Sequence, residues 1–200
     1  YESLVGRETP MHAMVVAKTI QSILHPDDCI VFDGGDFCHF SRANLPALKP
    51  KRWFYVSSLG MLGPALPTAL AARLAYPDSR VIMLTGDGAF GFNPMEFDTA
   101  VRHKLNLVAL LGNDSAWGTD RQIQLGLYGR AVATHLYQTR YDLVVAGLGG
   151  YGEFVERSED LEPALERAFA SGRPALLNIV VQRAISPRAE AAIARRKAQK

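Results

Sequence analysis

Three short turns in this chain set glycine beside aspartate directly after apolar residues. Asp33-Gly34-Gly35-Asp36 follows Cys29-Ile30-Val31-Phe32, Gly86-Asp87-Gly88 follows Val81-Ile82-Met83-Leu84-Thr85, and Gly112-Asn113-Asp114 follows residues 107–111. Glycine lets backbone N–H groups approach a phosphate without interference from a Cβ. Carboxylates in the same turns would repel that anion. A divalent cation resolves the conflict, since it bridges carboxylate and phosphate oxygens. Magnesium favours this chemistry, with one or two carboxylates plus substrate phosphates. The turns therefore point to a metal-held diphosphate. Asp87 and Asp114 are the candidate acidic ligands, and a fourth turn, Gly60-Met61-Leu62-Gly63, stands just before an alanine-rich stretch.

Gly-Asp-Gly alone is a common turn, so its context decides its meaning. The pattern alternates helix and strand, which predicts an α/β fold with an open, mainly parallel sheet and helices on both faces. Thr9-Pro10 reads as an N-cap followed by proline at the first helical position, starting a helix over residues 11–24. Strands are expected over 29–32, 80–85, 107–111 and 175–181, the middle two apolar on both faces as central parallel strands are. Helices are expected over 65–76 and 158–171, and Asn93-Pro94-Met95-Glu96 reads as a capping box opening another. In such a sheet ligands bind outside the carboxyl ends of the strands, where the glycine-aspartate turns fall.

Composition sets limits. Two hundred residues with 48% hydrophobic and 21% charged content suit one ordinary domain that needs no disulfide or metal to fold. A net charge of +2 gives no case for nucleic acid. Cys29 and Cys38 form no C-x-x-C pair and read as buried thiols in a reducing compartment. There is no signal peptide and no apolar run near eighteen residues, so neither membrane nor secretion is expected and a cytoplasmic location is. The chain opens on Tyr1-Glu2-Ser3 without an initiator methionine, as a processed chain or a piece of a longer protein would. Residues 1–184 are expected to form the diphosphate-binding domain and residues 185–200 a basic tail of polar helical character. No G-x-G-x-x-G follows the first strand, which argues against a nicotinamide-binding fold.

Gly86-Asp87-Gly88, with the stretch that runs to Asn113-Asp114, resembles the motif of thiamine-diphosphate-dependent enzymes that begins in GDG and ends in an asparagine-rich turn. The resemblance covers nearly the whole chain and implies the thiamine-diphosphate-binding fold, with thiamine diphosphate and Mg2+ as cofactors. It implies metal ligation by Asp87, Asp114 and the carbonyl of Ala116. Asp114 stands where the family has Asn, and Asn113 is the alternative ligand. Ser58-Leu59-Gly60-Met61-Leu62-Gly63 is similar to the family's segment under the aminopyrimidine. There Gly60 would accept the 4′-amino group, and Leu62 would prop the cofactor into its bent shape. Gly35, Asp36 and Phe37 match the segment facing the diphosphate from the other side. Gly86, Gly88, Ala89 and Trp117 complete the implied cofactor contacts.

Ala89-Phe90-Gly91-Phe92 with Met95-Glu96, Gly149-Gly150-Tyr151-Gly152-Glu153-Phe154-Val155, and Pro174-Ala175-Leu176-Leu177-Asn178-Ile179 are similar to 2-hydroxyacyl-CoA lyases and oxalyl-CoA decarboxylases. Acetolactate synthase is the nearest rival. The resemblance implies an acyl-CoA substrate and cleavage to an aldehyde or ketone plus formyl-CoA. In this family a glutamate that activates the cofactor sits on a separate pyrimidine-binding domain. None is expected here, since Glu96 reads as a cap residue, so no catalytic side chain is assigned. A partner domain or subunit, in a hetero- or homo-oligomer, is expected to supply it. Arg183, Arg188, Arg195, Arg196 and Lys197 are candidates for the phosphates of coenzyme A, and Trp117, Arg121 and Gln122 for the substrate pocket. A non-catalytic assembly subunit is the third reading.

Overall fold

The computed structural model describes residues 4–6, 8–55 and 60–199. Six strands, β1 (Cys29–Phe32), β2 (Trp53–Tyr55), β3 (Val81–Gly86), β4 (Val108–Asn113), β5 (Tyr151–Val155) and β6 (Ala175–Val180), pair in the order β2-β1-β3-β4-β6-β5. All of these pairings are parallel, with Phe32 beside Leu84, Gly86 beside Gly112 and Asn113 beside Val180. The expected α/β sheet is therefore present.

Strand parity explains how helices come to cover both faces. Successive side chains in a strand point to opposite sides, so a strand apolar throughout needs two covers. Ile30, Phe32, Ile82, Leu84, Val108 and Leu110 face α1 (Ala13–Ile23), α2 (Asp36–Asn44) and α8 (Ser158–Ala170). Cys29, Val31, Met83, Ala109 and Leu111 face α3 (Ala65–Ala75), α5 (Glu96–Arg102) and α7 (Tyr141–Gly147). Fully burying one such Leu, Ile or Phe contributes about 1.5–3 kcal/mol, so the two apolar layers together fix where the strand ends lie. The short helix α4 (Asp87–Phe90) leaves the end of β3, α6 (Gly118–Tyr128) leaves the turn after β4, and α9 (Pro187–Ala198) closes the chain.

Several boundaries differ from expectation for local reasons. Thr9-Pro10 does not open the first helix. Met11 bridges in parallel to Val181, and Gln182 N–H donates to its carbonyl at 2.9 Å, which keeps this stretch extended. The helix starts at Ala13, capped by His12, whose Nδ1 accepts from Met14 N–H. The capping box at Asn93 and Glu96 does not form either. The carbonyls of Asn93 and Pro94 accept from Glu96 and Phe97 N–H in a preceding turn, so the helix start needs no side-chain cap. Edge strands β2 and β5, together with α2 and α7, went unread in the sequence. Residues 185–200 include α9, whose last turn carries Arg195, Arg196 and Lys197. That helix packs on α6, where Ile193 lies over Gly126.

Candidate functional site

Strand order reverses between β1 and β3, since β1 runs on to β2 on one side while β3 lies on the other. Such a switch point leaves a crevice at the carboxyl ends of the strands. A cavity of about 290 Å3 opens there, bordered by the ends of β1, β3 and β4. Its lining includes Gly35, Asp36, Phe37, Gly60, Leu62, Gly86, Asp87, Gly88, Ala89, Asp114, Ala116 and Trp117. The structure thus gathers the cofactor and metal candidates of the sequence around one space, all but the alternative ligand Asn113, although they span more than eighty positions of chain. Ser58 and Leu59 of the expected aminopyrimidine segment lie outside the described residues.

Main chain forms the floor. Gly86 and Gly112 are neighbours across β3 and β4, and a Cβ on Gly86 would come within 3.9 Å of the Gly34 carbonyl. A Cβ on Gly34 would meet Leu62 Cδ2 at 2.3 Å, so Leu62 rests directly on the β1 turn. Asp33 secures that arrangement. Its buried carboxylate accepts from Gly34 N–H at 2.8 Å, from Gly63 N–H at 3.0 Å and from Ala65 N–H at 3.3 Å. It thereby ties the end of β1 to the glycine turn and to the start of α3. Burial pushes the Asp33 carboxyl up, and these N–H groups oppose the shift. Sequence reading placed Asp33 in a turn and missed this role.

The acidic pair occupies the centre. Asp87 is 2% exposed. Its Oδ1 accepts from Gly88 N–H at 2.9 Å and its Oδ2 from Ala116 N–H at 3.2 Å. Burial raises its pKa to about 6 against those two donors. Asp114 rises to about 7 because of burial and then the charge of Asp87, with Arg183 pulling it down and Asp36 pushing it up. Asn113 takes a different course. Its side chain donates to the Thr139 carbonyl and to Asn178 Oδ1 at 3.1 Å each and accepts from Ser115 N–H at 3.2 Å. Asn178 donates in turn to Asp142, which Arg140 holds at 2.6 Å. Asn113 is committed to this buried network and is absent from the cavity lining, while Asp114 borders the cavity.

The donor set suits a divalent cation. Two carboxylates, the charge of Asp87 opposing ionisation of Asp114, together with a neighbouring backbone carbonyl and glycine N–H groups match magnesium held with phosphate oxygens. Asp36 adds a further acidic group. Its Oδ1 accepts from Ser186 N–H at 3.2 Å, its buried Oδ2 has no hydrogen-bond partner among the described residues, and burial raises its pKa. No group of three or more His, Cys, Asp and Glu side chains among the described residues could hold a metal ion. The set is thus suited to a metal shared with a ligand rather than caged by protein.

Other residues divide around this centre. Trp117 lines the cavity, where a Cβ on Gly88 would meet its ring at 2.8 Å, and it packs edge-on to Phe92. Arg121 and Gln122 lie outside the lining, as do Glu96 and Glu153. Glu153 is bound by Arg167 and Tyr151. Of the five basic candidates only Arg188 borders the cavity. His39 also borders it, and burial and then the charges of Arg42 and Arg188 lower its pKa to about 4. His39, Tyr55, Thr119 and Asp120 carried no motif and were missed. A register argument placing α2 and α6 at the strand ends would have found His39, Thr119 and Asp120, while Tyr55 ends the edge strand β2. Cys29 and Cys38 are buried free thiols, and burial pushes both up in pKa. No helix among the described residues is long and apolar enough to cross a membrane.

A glycine floor with two carboxylates at the switch point of a parallel sheet defines a class of phosphate-binding α/β domain. Residues 33–179 match the family described as thiamine pyrophosphate enzyme, C-terminal TPP binding domain, and the chain belongs to that family. It is 42% identical over 184 residues to the acetolactate synthase large subunit IlvG of Mycobacterium tuberculosis, covering 92% of this chain and 34% of that protein. It is 34% identical over 179 residues to the 2-hydroxyacyl-CoA lyase 2 of Homo sapiens, covering 86% of this chain and 28% of that protein. The chain therefore spans about a third of the length of the curated relatives it matches.

Proposed function

We propose that this chain is the diphosphate- and magnesium-binding half of a thiamine-diphosphate-dependent carbon–carbon lyase that acts on a 2-hydroxyacyl-CoA. The products are an aldehyde or ketone and formyl-CoA. One observation carries the reading: Asp87 and Asp114 meet beside a glycine floor at the strand-order switch point. Asp87, Asp114 and the Ala116 carbonyl would hold Mg2+. Gly35, Asp36, Phe37, Gly86, Gly88, Ala89 and Trp117 would border the diphosphate, with Gly60 and Leu62 on the aminopyrimidine side. When bound, thiamine diphosphate supplies an electron sink for cleavage of a carbon–carbon bond.

The chain's own residues orient and enclose. Leu62, seated on Gly34, forms one wall, and Trp117 packed on Phe92 forms another. Arg188 presents a cation to the anionic acyl-CoA from the α9 side. Among the described residues no glutamate lines the cavity, which supports a pyrimidine-binding partner domain, in a homo- or hetero-oligomer, as the source of the activating carboxylate. Two buried free cysteines suit a reducing compartment such as the cytoplasm.

The 42% identity to IlvG favours a second reading, an acetolactate-synthase-like transferase joining keto-acid units. The assembled enzyme, given a 2-hydroxyacyl-CoA, is expected to release formyl-CoA only with Mg2+ and thiamine diphosphate present. Asp87→Ala is expected to abolish that activity while assembly persists. Acetolactate from pyruvate with no formyl-CoA from the acyl-CoA would select the second reading. Unchanged activity in Asp87→Ala would point to an assembly role.

A further inference from the structure

The turn that carries Asp114 and Ala116 is held by more than its own sequence. Ser115 sits at φ 55°, a left-handed conformation that a residue with a Cβ disfavours. Such a turn persists only where its surroundings impose it. Besides the Asp87 carboxylate, which accepts from Ala116 N–H, and the Asn113 side chain, which accepts from Ser115 N–H, two sets of contacts do so. The first is backbone pairing with residues 134–136: Leu136 N–H donates to the Ser115 carbonyl at 3.0 Å, and Trp117 N–H donates to the Thr134 carbonyl at 2.9 Å. The second is one side chain. Arg183 Nε donates to the Asp114 carbonyl at 2.7 Å, and its Nη2 donates to the Ser115 carbonyl at 3.2 Å.

Arg183 is itself anchored. It follows β6, whose end is tied to β4 where Val181 N–H donates to the Asn113 carbonyl at 3.0 Å. The Arg183 carbonyl accepts from Gln122 Nε2 at 3.0 Å, which fixes it to α6. A rigid planar fork on two successive carbonyls is a geometric restraint that a point charge cannot reproduce. Arg183 is absent from the cavity lining, and its guanidinium meets the turn at the Asp114 and Ser115 carbonyls.

We propose that Arg183 is a positioning residue for the divalent cation: by bridging the Asp114 and Ser115 carbonyls it keeps the turn in the shape that presents the Asp114 carboxylate and the Ala116 carbonyl to the metal. The inference rests on the metal site proposed above. It removes Arg183 from the residues available to coenzyme A and leaves that role to Arg188.

The test uses Mn2+ as probe, followed by its EPR signal and titrated into the assembled enzyme at saturating thiamine diphosphate. Arg183→Ala is expected to weaken Mn2+ roughly tenfold, the scale of lost support behind a metal ligand. Arg183→Lys keeps the charge and loses the fork, so it should recover little of that affinity. Arg195→Ala removes an equal charge from the far end of α9 and should change nothing. Mn2+ affinity within twofold of the unmodified enzyme in Arg183→Ala would overturn the inference, as would full rescue by lysine or an equal loss in Arg195→Ala. If Arg183→Ala does not fold, Arg183→Lys decides the matter alone: it must bind Mn2+ more weakly with an unchanged melting midpoint. Loss of Mn2+ in Asp87→Ala beside no loss at Arg183 would sink this inference alone. Failure of the unmodified enzyme to bind Mn2+ would sink the metal site itself.

Discussion

Gly112 lies at the end of β4 beneath the cavity, and an added Cβ there would stand 2.4 Å from both Cγ and Cδ2 of Phe37. Carbon atoms pack best at about 3.5–4.0 Å, so in Gly112→Ala the ring must retreat by roughly 1 Å. Phe37 is 6% exposed and belongs to the apolar layer under α1 and α2, which closes most directions of retreat. The open direction is the cavity that Phe37 itself borders. Overpacking of this kind costs about 1–3 kcal/mol. Taken in the cavity, that cost weakens thiamine diphosphate binding by about 5- to 150-fold; taken in the core, it lowers unfolding free energy by the same amount. Isothermal titration with the cofactor and Mg2+, paired with urea unfolding, reads both. The Phe37→Ala background isolates the cause, because without the ring the alanine at 112 should add less than about 0.5 kcal/mol. Unchanged affinity and unchanged stability would refute the reasoning. So would a cost that persists without the ring.

Two further outcomes are expected. His39 has its pKa lowered to about 4, so between its unfolded pKa of about 6.5 and pH 4 the unfolded chain binds the extra proton. Stability from this group is therefore full above pH 6.5 and is lost as pH falls toward 4, by about 3 kcal/mol at most; His39→Gln should flatten that part of the unfolding-versus-pH curve, and an unaltered slope would count against it. Gly152→Ala would place a Cβ 2.0 Å from the Asp142 carbonyl oxygen, a clash with main chain that must part β5 from α7. A loss of about 2 kcal/mol or more is expected in urea unfolding, and a change under about 0.5 kcal/mol would show that the edge strand gives way freely.

The central sheet was legible because its strands are apolar on both faces and end in glycine. Residues 81–85 and 107–111 admit little else. Edge strands hide for the opposite reason: Trp53-Phe54-Tyr55 is three residues long, and Tyr151–Val155 is half-buried and begins beside glycines. Helix starts misled where long-range pairing overruled a local signal, as at Thr9-Pro10, where the end of β6 claims Met11. At the site, Asn113 and Asp114 could have been separated by parity. Ala109 and Leu111 face the α7 side, so Asn113 continues their row toward Asn178, and the next residue is free to turn away from it. What no local pattern reveals is support that comes from distant chain, such as the Asp33 carboxylate under the Gly63 turn or the Arg183 fork on the Ser115 carbonyl.

The glycine floor also constrains how this site can be altered. Side chains can be exchanged one atom at a time, but a surface made of main chain can only be covered over. At Gly34, Gly88 and Gly112 the first added carbon already collides with Leu62, Trp117 or Phe37. The walls are different in kind, since Leu62, Trp117 and Arg188 project from separate elements and each can change without moving the strands beneath. A single floor can therefore carry many sets of walls, so the side chains around the cavity can vary while the main-chain surface beneath them stays fixed.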